Sequence, residues 1–148
     1  MNRKKVLKIA SIIYTVIMVY LLFFQRVANV DYSNYTEQLK LRLNLVPFRT
    51  VMLYLRVAFK QDSIINFATI NLLGNVVMFV PMGIFLPSMF KSKRNVLNFI
   101  VTVIVMISMV EVIQLFTLLG SCDIDDLILN VVGATIGFLL WKYAHKHA

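Results

Sequence analysis

The stretch VLNFIVTVIVMISMVEVIQLFTLL, residues 96–119, decides the fold. At 1.5 Å per residue a helix of this length runs about 36 Å, enough to cross a hydrocarbon core of about 30 Å. One carboxylate, Glu111, interrupts it about two-thirds of the way along. Burying that charge at mid-bilayer costs at least about 2.5 kcal/mol on insertion scales, so a membrane helix that carries one keeps it for a partner or a task. The stretch points to a polar site inside a membrane protein.

Composition agrees. The chain has 148 residues, of which 59% are hydrophobic and 15% charged, with a mean hydropathy of +0.79. That leaves too little polar surface to coat a soluble globule, and residues 1–148 are expected to form a single membrane domain. The net charge of +8 comes from basic residues placed between apolar runs or at the ends. They form no compact patch and no nucleic-acid motif, so nucleic acid is excluded as a partner and membrane lipids are expected. The single cysteine, Cys122, rules out an intramolecular disulfide and defines no metal site.

Working outward from 96–119, three further runs are long enough to span. Residues 6–24 give about 28 Å if Lys8 snorkels to the interface. Residues 64–90 give about 40 Å, which requires tilt, a kink, or ends outside the core. Residues 124–141 give about 27 Å. Arg3, Lys4 and Lys5 precede the first run as they would in a signal peptide. Its apolar length exceeds the usual one and no convincing small-residue cleavage site follows, so it is read as a retained helix. The expected fold is all-α, a multi-pass membrane four-helix bundle.

Basic residues flanking the spans set the orientation, because Lys and Arg in short loops favour the cytoplasm. Arg3, Lys4, Lys5 and Lys8 precede the first span, Lys91, Lys93 and Arg94 join the second to the third, and Lys142 and Lys146 follow the fourth. All fall on one side, which predicts both termini in the cytoplasm. The turn 120–126 and the long segment 25–62 are then extracellular. Within that segment residues 47–60 carry Arg49, Arg56 and Lys60 near one face and Phe48, Met52, Leu55 and Phe59 on others, a pattern suited to an interfacial amphipathic helix with Pro47 in its first turn. Its basic stripe suits lipid headgroups, and Arg49 or Arg56 is also placed to hold a phosphate or another anion over the bundle mouth. Residues 39–45 alternate apolar and polar, as a short strand or an extended interfacial stretch would.

Depth and spacing assemble the site. Entering from outside, the second span reaches Asn71 after about 10 Å and Asn75 after about 16 Å, while Gln114 and Glu111 lie about 8 and 12 Å below the outer end of the third. Asn130 lies less than about 10 Å into the fourth. The pairs Asn71/Asn75, Glu111/Gln114 and Asp126/Asn130 are three or four residues apart, so each occupies one helix face. The face of the fourth span continues through Gly133, Ala134 and Gly137, small residues that let helix backbones approach. Three polar faces are expected to meet inside the bundle, with a mouth opening outward. Pro81 removes a helical hydrogen bond and crowds the carbonyl of Val77, which predicts a kink near residues 78–83, and Pro87 is expected to end the helix or mark its cytoplasmic end.

The turn Asp123-Ile124-Asp125-Asp126 supplies too few oxygens at defined positions for a hard cation. Helix chemistry explains it more simply: Asp123 caps the fourth helix and Asp125 and Asp126 favour the positive end of its dipole. Asp126, whose face runs into Asn130, is the one best placed for a second role. His145 and His147 belong to a solvated basic tail, and the methionines pack among helices.

The segments Asn44-Leu45-Val46-Pro47-Phe48-Arg49-Thr50, Asn71-x-x-Gly74-Asn75 with Phe79, Pro81, Gly83 and Leu86, Glu111-x-x-Gln114, Asp123-x-Asp125-Asp126 and Asn130-x-x-Gly133-x-x-x-Gly137 resemble, in this order, the successive motifs of VanZ-like membrane proteins. One departure stands out: Gly120-Ser121 occupies the place where members commonly carry an arginine before the acidic turn, and Arg49 is a candidate replacement. The resemblance implies a multi-pass protein of the bacterial cytoplasmic membrane, from a family tied to teicoplanin resistance, and maps its motif residues onto Asn71, Asn75, Glu111, Gln114, Asp123, Asp126 and Asn130.

Three function classes follow. A binding protein would use Arg49 and those seven residues to engage a lipid-linked cell-wall precursor, another anionic ligand, or the glycopeptide antibiotic itself. An intramembrane enzyme would use Glu111 and Asp126 as acid and base, although no nucleophile and base pair accompanies them. A proton or ion carrier would titrate Glu111, and a chain this short would need to form a homo-oligomer. No cofactor or metal is expected, and binding is the preferred class.

Overall fold

The computed structural model describes residues 3–24, 33–58 and 65–146. Helix α1 (Arg3–Phe23) is followed by the short α2 (Tyr35–Arg42), a two-residue strand β1 (Leu43–Asn44) and α3 (Arg49–Ala58). Then come α4 (Ile65–Met89), a 3-10 turn at Lys91–Arg94, α5 (Val96–Phe116), β2 (Cys122–Asp123) and α6 (Ile124–Lys146). Helices α1, α4, α5 and α6 are long and apolar enough to cross a membrane. The chain is therefore a helical multi-pass membrane protein, as 96–119 had indicated. Its hydroxyls are carried across the apolar layer by bonding back to their own helices, as Thr15 does to the Ser11 carbonyl (2.8 Å) and Thr135 to that of Val131 (2.7 Å).

The closest packing is between α4 and α6, and small residues make it possible. A methyl group on Gly133 would sit 2.0 Å from the Val76 carbonyl oxygen, one on Gly137 2.0 Å from that of Val80, and one on Gly83 1.9 Å from that of Ala134. The two backbones interlock where no side chain intervenes. Beside this seam lies the core, in which Phe99, Val103 and Ile107 of α5 meet Phe79 and Met82 of α4 and Ala134 and Phe138 of α6. The rings of Phe99 and Phe138 stack at 4.4 Å. Helix α1 packs on the outside of this group, with Met18 buried and Val16 64% exposed.

Two ends are defined by these contacts. Arg94 lies over the Trp141 ring at 5.7 Å, which brings the 3-10 turn to the C-terminal part of α6 and gathers Lys91, Lys93, Lys142 and Lys146 at one basic end. At the opposite end, Gln114 Nε2 donates to the Leu22 carbonyl (2.8 Å), tying the last turn of α1 to that of α5.

Several boundaries differ from expectation. The third span ends at Phe116 because Leu118 turns into the left-handed region (φ 56°), where its N–H donates to Leu115 and that of Gly120 to Gln114. The fourth extends to Lys146. Helix α4 is continuous through Pro81 and ends at Met89, two residues past Pro87, which marks that end of the helix as expected; the Met78 carbonyl, in the turn that Pro81 crowds, accepts from the Tyr14 hydroxyl at 2.8 Å. A neighbouring helix thus bonds a carbonyl one residue from that of Val77, the one that Pro81 leaves without a helical donor. Residues 39–42 are helical, and only Leu43–Asn44 of the expected strand is extended. The interfacial helix begins at Arg49, so Pro47 lies in the turn before it rather than in its first turn. Residues 59 and 60 of its expected range, residue 64 of the second span and His147 lie outside the described residues.

Candidate functional site

The acidic turn does more than start α6. Strands β1 and β2 pair in parallel, with Leu43 opposite Cys122 and Asn44 opposite Asp123, which brings the Asn44–Thr50 loop alongside the turn. Asp123 then becomes a hub. Its Oδ1 accepts from Asn44 Nδ2 (3.1 Å) and from the N–H of Asp125 (2.9 Å), the second being the expected cap of α6. Its Oδ2 accepts from the Thr50 hydroxyl (2.5 Å), and its own N–H donates to Glu111 Oε2 (3.1 Å). Thr50 Oγ1 in turn accepts from Asn44 Nδ2 at 3.1 Å.

Asp125 corrects the simple dipole reading of the turn. Its carboxylate, 1% exposed, accepts from the N–H groups of Phe48 (2.5 Å), Thr50 (2.8 Å) and Val51 (3.1 Å). It caps α3, a helix remote in sequence, and three oriented N–H groups together with the positive end of that helix offset its buried charge. The loop reaches this geometry through Phe48, whose φ of 64° bends the backbone toward the carboxylate. Asp126 points the other way, and its Oδ1 accepts from Asn75 Nδ2 of α4 at 2.5 Å.

Not every expected residue joins this hub. Glu111 (6% exposed) and Asn130 (5%) face the protein interior, and Asn75 reaches Asp126. Gln114 is buried as well, but its amide serves α1 instead of the acidic turn. Asn71 is half-buried one turn from Asn75, and Arg49 is exposed at the first residue of α3. Asn130 Oδ1 is buried with no hydrogen-bond partner among the described residues. The guanidinium that reaches the turn is that of Arg42, whose Nη1 donates to the Gly120 carbonyl at 3.3 Å. It stands beside the Gly120-Ser121 pair from a different element. Asn44, Thr50 and Asp125 were missed as contributors because their partners lie more than 70 positions away; the Asn44–Thr50 motif was the one signal for them.

The arrangement is acceptor-rich and tightly bonded. Its carboxylates spend lone pairs on backbone and amide donors, and no group of three His, Cys, Asp or Glu suited to a metal ion occurs among the described residues. Cys122 adjoins it, but burial pushes the thiol above its ordinary pKa, with the charges of Glu111 and Asp123 adding to the effect. The protonated thiol is the weaker nucleophile.

These features define a class: a multi-pass membrane protein whose outer loop is latched to a buried acidic turn at one end of a helix bundle. A family model described as VanZ/LLP1 matches residues 11–145, and the chain belongs to that family. It is similar to Protein VanZ of Enterococcus faecium, at 28% identity over 136 residues that cover 91% of this chain and 73% of the relative. No solved structure matches.

Proposed function

We propose that this protein resides in the bacterial cytoplasmic membrane and modulates susceptibility to glycopeptides of the teicoplanin type by binding a lipid-linked or anionic ligand at the end of the bundle that holds the acidic turn. The observation that carries the reading is the concentration of buried polar side chains there: Glu111, Gln114, Asp123, Asp125 and Asn130. Polar groups kept inside an apolar bundle are costly and mark function. Asp123 and Asp125 fix the position of α3, which holds Arg49 in the open at the bundle surface. Arg49 supplies a forked cation for a phosphate or carboxylate, and Asn130 Oδ1 is a buried acceptor without a hydrogen-bond partner among the described residues.

The test is antibiotic susceptibility of cells expressing the wild type, Arg49→Ala, Asn130→Leu or Glu111→Gln at matched membrane levels. Loss of protection in Arg49→Ala, with the folded protein still present, is the expected result. Undiminished protection from both Arg49→Ala and Asn130→Leu would refute the binding role.

A further inference from the structure

Away from the acidic turn, a cavity of about 530 Å³ opens between α1, α4 and α5. Four methionines, Met18, Met82, Met89 and Met106, contribute to its wall, and such side chains adapt to flexible apolar guests. The polar groups in that wall make no demand on an occupant. Ser11 Oγ donates to the Lys8 carbonyl (2.9 Å), Tyr14 to Met78 (2.8 Å) and Thr15 to Ser11 (2.8 Å). The wall therefore offers an occupant no free hydroxyl donor, which suits hydrocarbon. Val16, 64% exposed, and Met106, 44% exposed, leave the groove open sideways to the membrane.

Length and width narrow the choice. On α4 the wall runs from Phe79 to Met89, about 15 Å, and on α1 from Ser11 to Phe23, about 18 Å, lengths that an extended acyl chain fills. A helix about 10 Å across would fill the cavity within roughly 7 Å of its length, so a second copy of a spanning helix is too wide for it. An acyl chain is not. The leaflet is the one at the basic end: Lys91 follows Phe90 directly, and Lys8 lies one turn before Ser11, both exposed.

We infer that this groove holds an acyl chain of an anionic phospholipid from the leaflet at the basic end, with its headgroup between Lys8 and Lys91. That leaflet is cytoplasmic by the distribution of basic residues. The site is separate from the acidic turn and stands or falls independently of the proposed function.

The experiment places the full chain in phosphatidylcholine nanodiscs containing a small fraction of phosphatidylglycerol with a diazirine in its acyl chain, irradiates, and maps adducts by mass spectrometry. Adducts are expected to concentrate on Met18, Met82 and Phe85 above the lipid-facing Val105 and Leu139. Val16→Trp, or Met106→Trp from the opposite wall, should reduce the groove adducts several-fold and leave Leu139 unchanged. The preference for phosphatidylglycerol over a diazirine phosphatidylcholine should fall about fivefold for each lysine removed in Lys8→Gln and Lys91→Gln. Adducts spread evenly over the lipid-facing surface, equal labelling by the two lipids, or a dimer trapped through Val16→Cys would overturn the assignment.

Discussion

Glu111 is both a charge in an apolar helix and an acceptor for the Asp123 N–H, and two substitutions separate these roles. Glu111→Gln keeps an acceptor oxygen, so membrane levels and thermal stability should stay near those of the wild type. Glu111→Leu leaves the Asp123 N–H without this acceptor and should cost about 1–3 kcal/mol, read as a lower unfolding midpoint in detergent. Asn130 gives the opposite signature. Because its Oδ1 already has no hydrogen-bond partner among the described residues, Asn130→Leu should be neutral or stabilising, and any loss of protection then reports ligand binding. Cys122 supplies a pH test. A thiol whose pKa lies above the ordinary value holds less thiolate at pH 8 than a free cysteine. Its alkylation should be slow there and accelerate on going to higher pH, later than in a denatured control. Equal rates at pH 8 would contradict the burial of this turn.

Helix α3 is capped by Asp125 of α6, a residue remote in sequence. Asp125→Ala removes an acceptor from three N–H groups, and each helix-capping contact of this kind is worth about 1 kcal/mol. Hydrogen exchange in residues 49–52 should speed up while α5 is unaffected. The α4 and α6 pair answers to size instead of charge. Gly137→Leu drives a side chain into the Val80 carbonyl and should separate the helices, lowering the yield of folded protein, whereas Leu139→Ala on the exposed side of α6 should be tolerated. These elements also show where local pattern was insufficient. The alternation in residues 39–45 read as extended, but α2 is held by tertiary bonds such as that from the Tyr35 hydroxyl to the Phe116 carbonyl (2.7 Å). The start of α3 follows the position of Asp125, which no window of 47–60 contains.

Across the whole molecule, one end is basic and the other holds the latch. Cysteines introduced at Lys4 and Lys93 should react with a membrane-impermeant reagent only from the cytoplasmic side, and one at Arg49 only from outside. Reaction of all three from the same side would remove the bundle topology. The two ends also divide the chemistry. The latch holds an outer helix by charge and hydrogen bonds, whereas the groove offers only hydrocarbon contact and an open flank. Substitutions at Asp125 should leave lipid adducts in the groove unchanged.

Sequence alone determined that four helices are long and apolar enough to cross a membrane, which of their residues are polar, and that Gly133 and Gly137 form a contact stripe. Those properties depend on length, apolar content and a period of 3.6 residues, all of which are local. Which carboxylate serves which partner was decided only by tertiary structure. Asp123, Asp125 and Asp126 are near neighbours in the chain, yet one gathers Asn44 and Thr50, one caps α3 and one meets Asn75. Their directions are set by the parallel β1 and β2 pairing and by the first turn of α6, so adjacent acidic residues point to different elements. The groove is likewise invisible in sequence, because it is the space left where α1 packs less closely than α4 and α6 do.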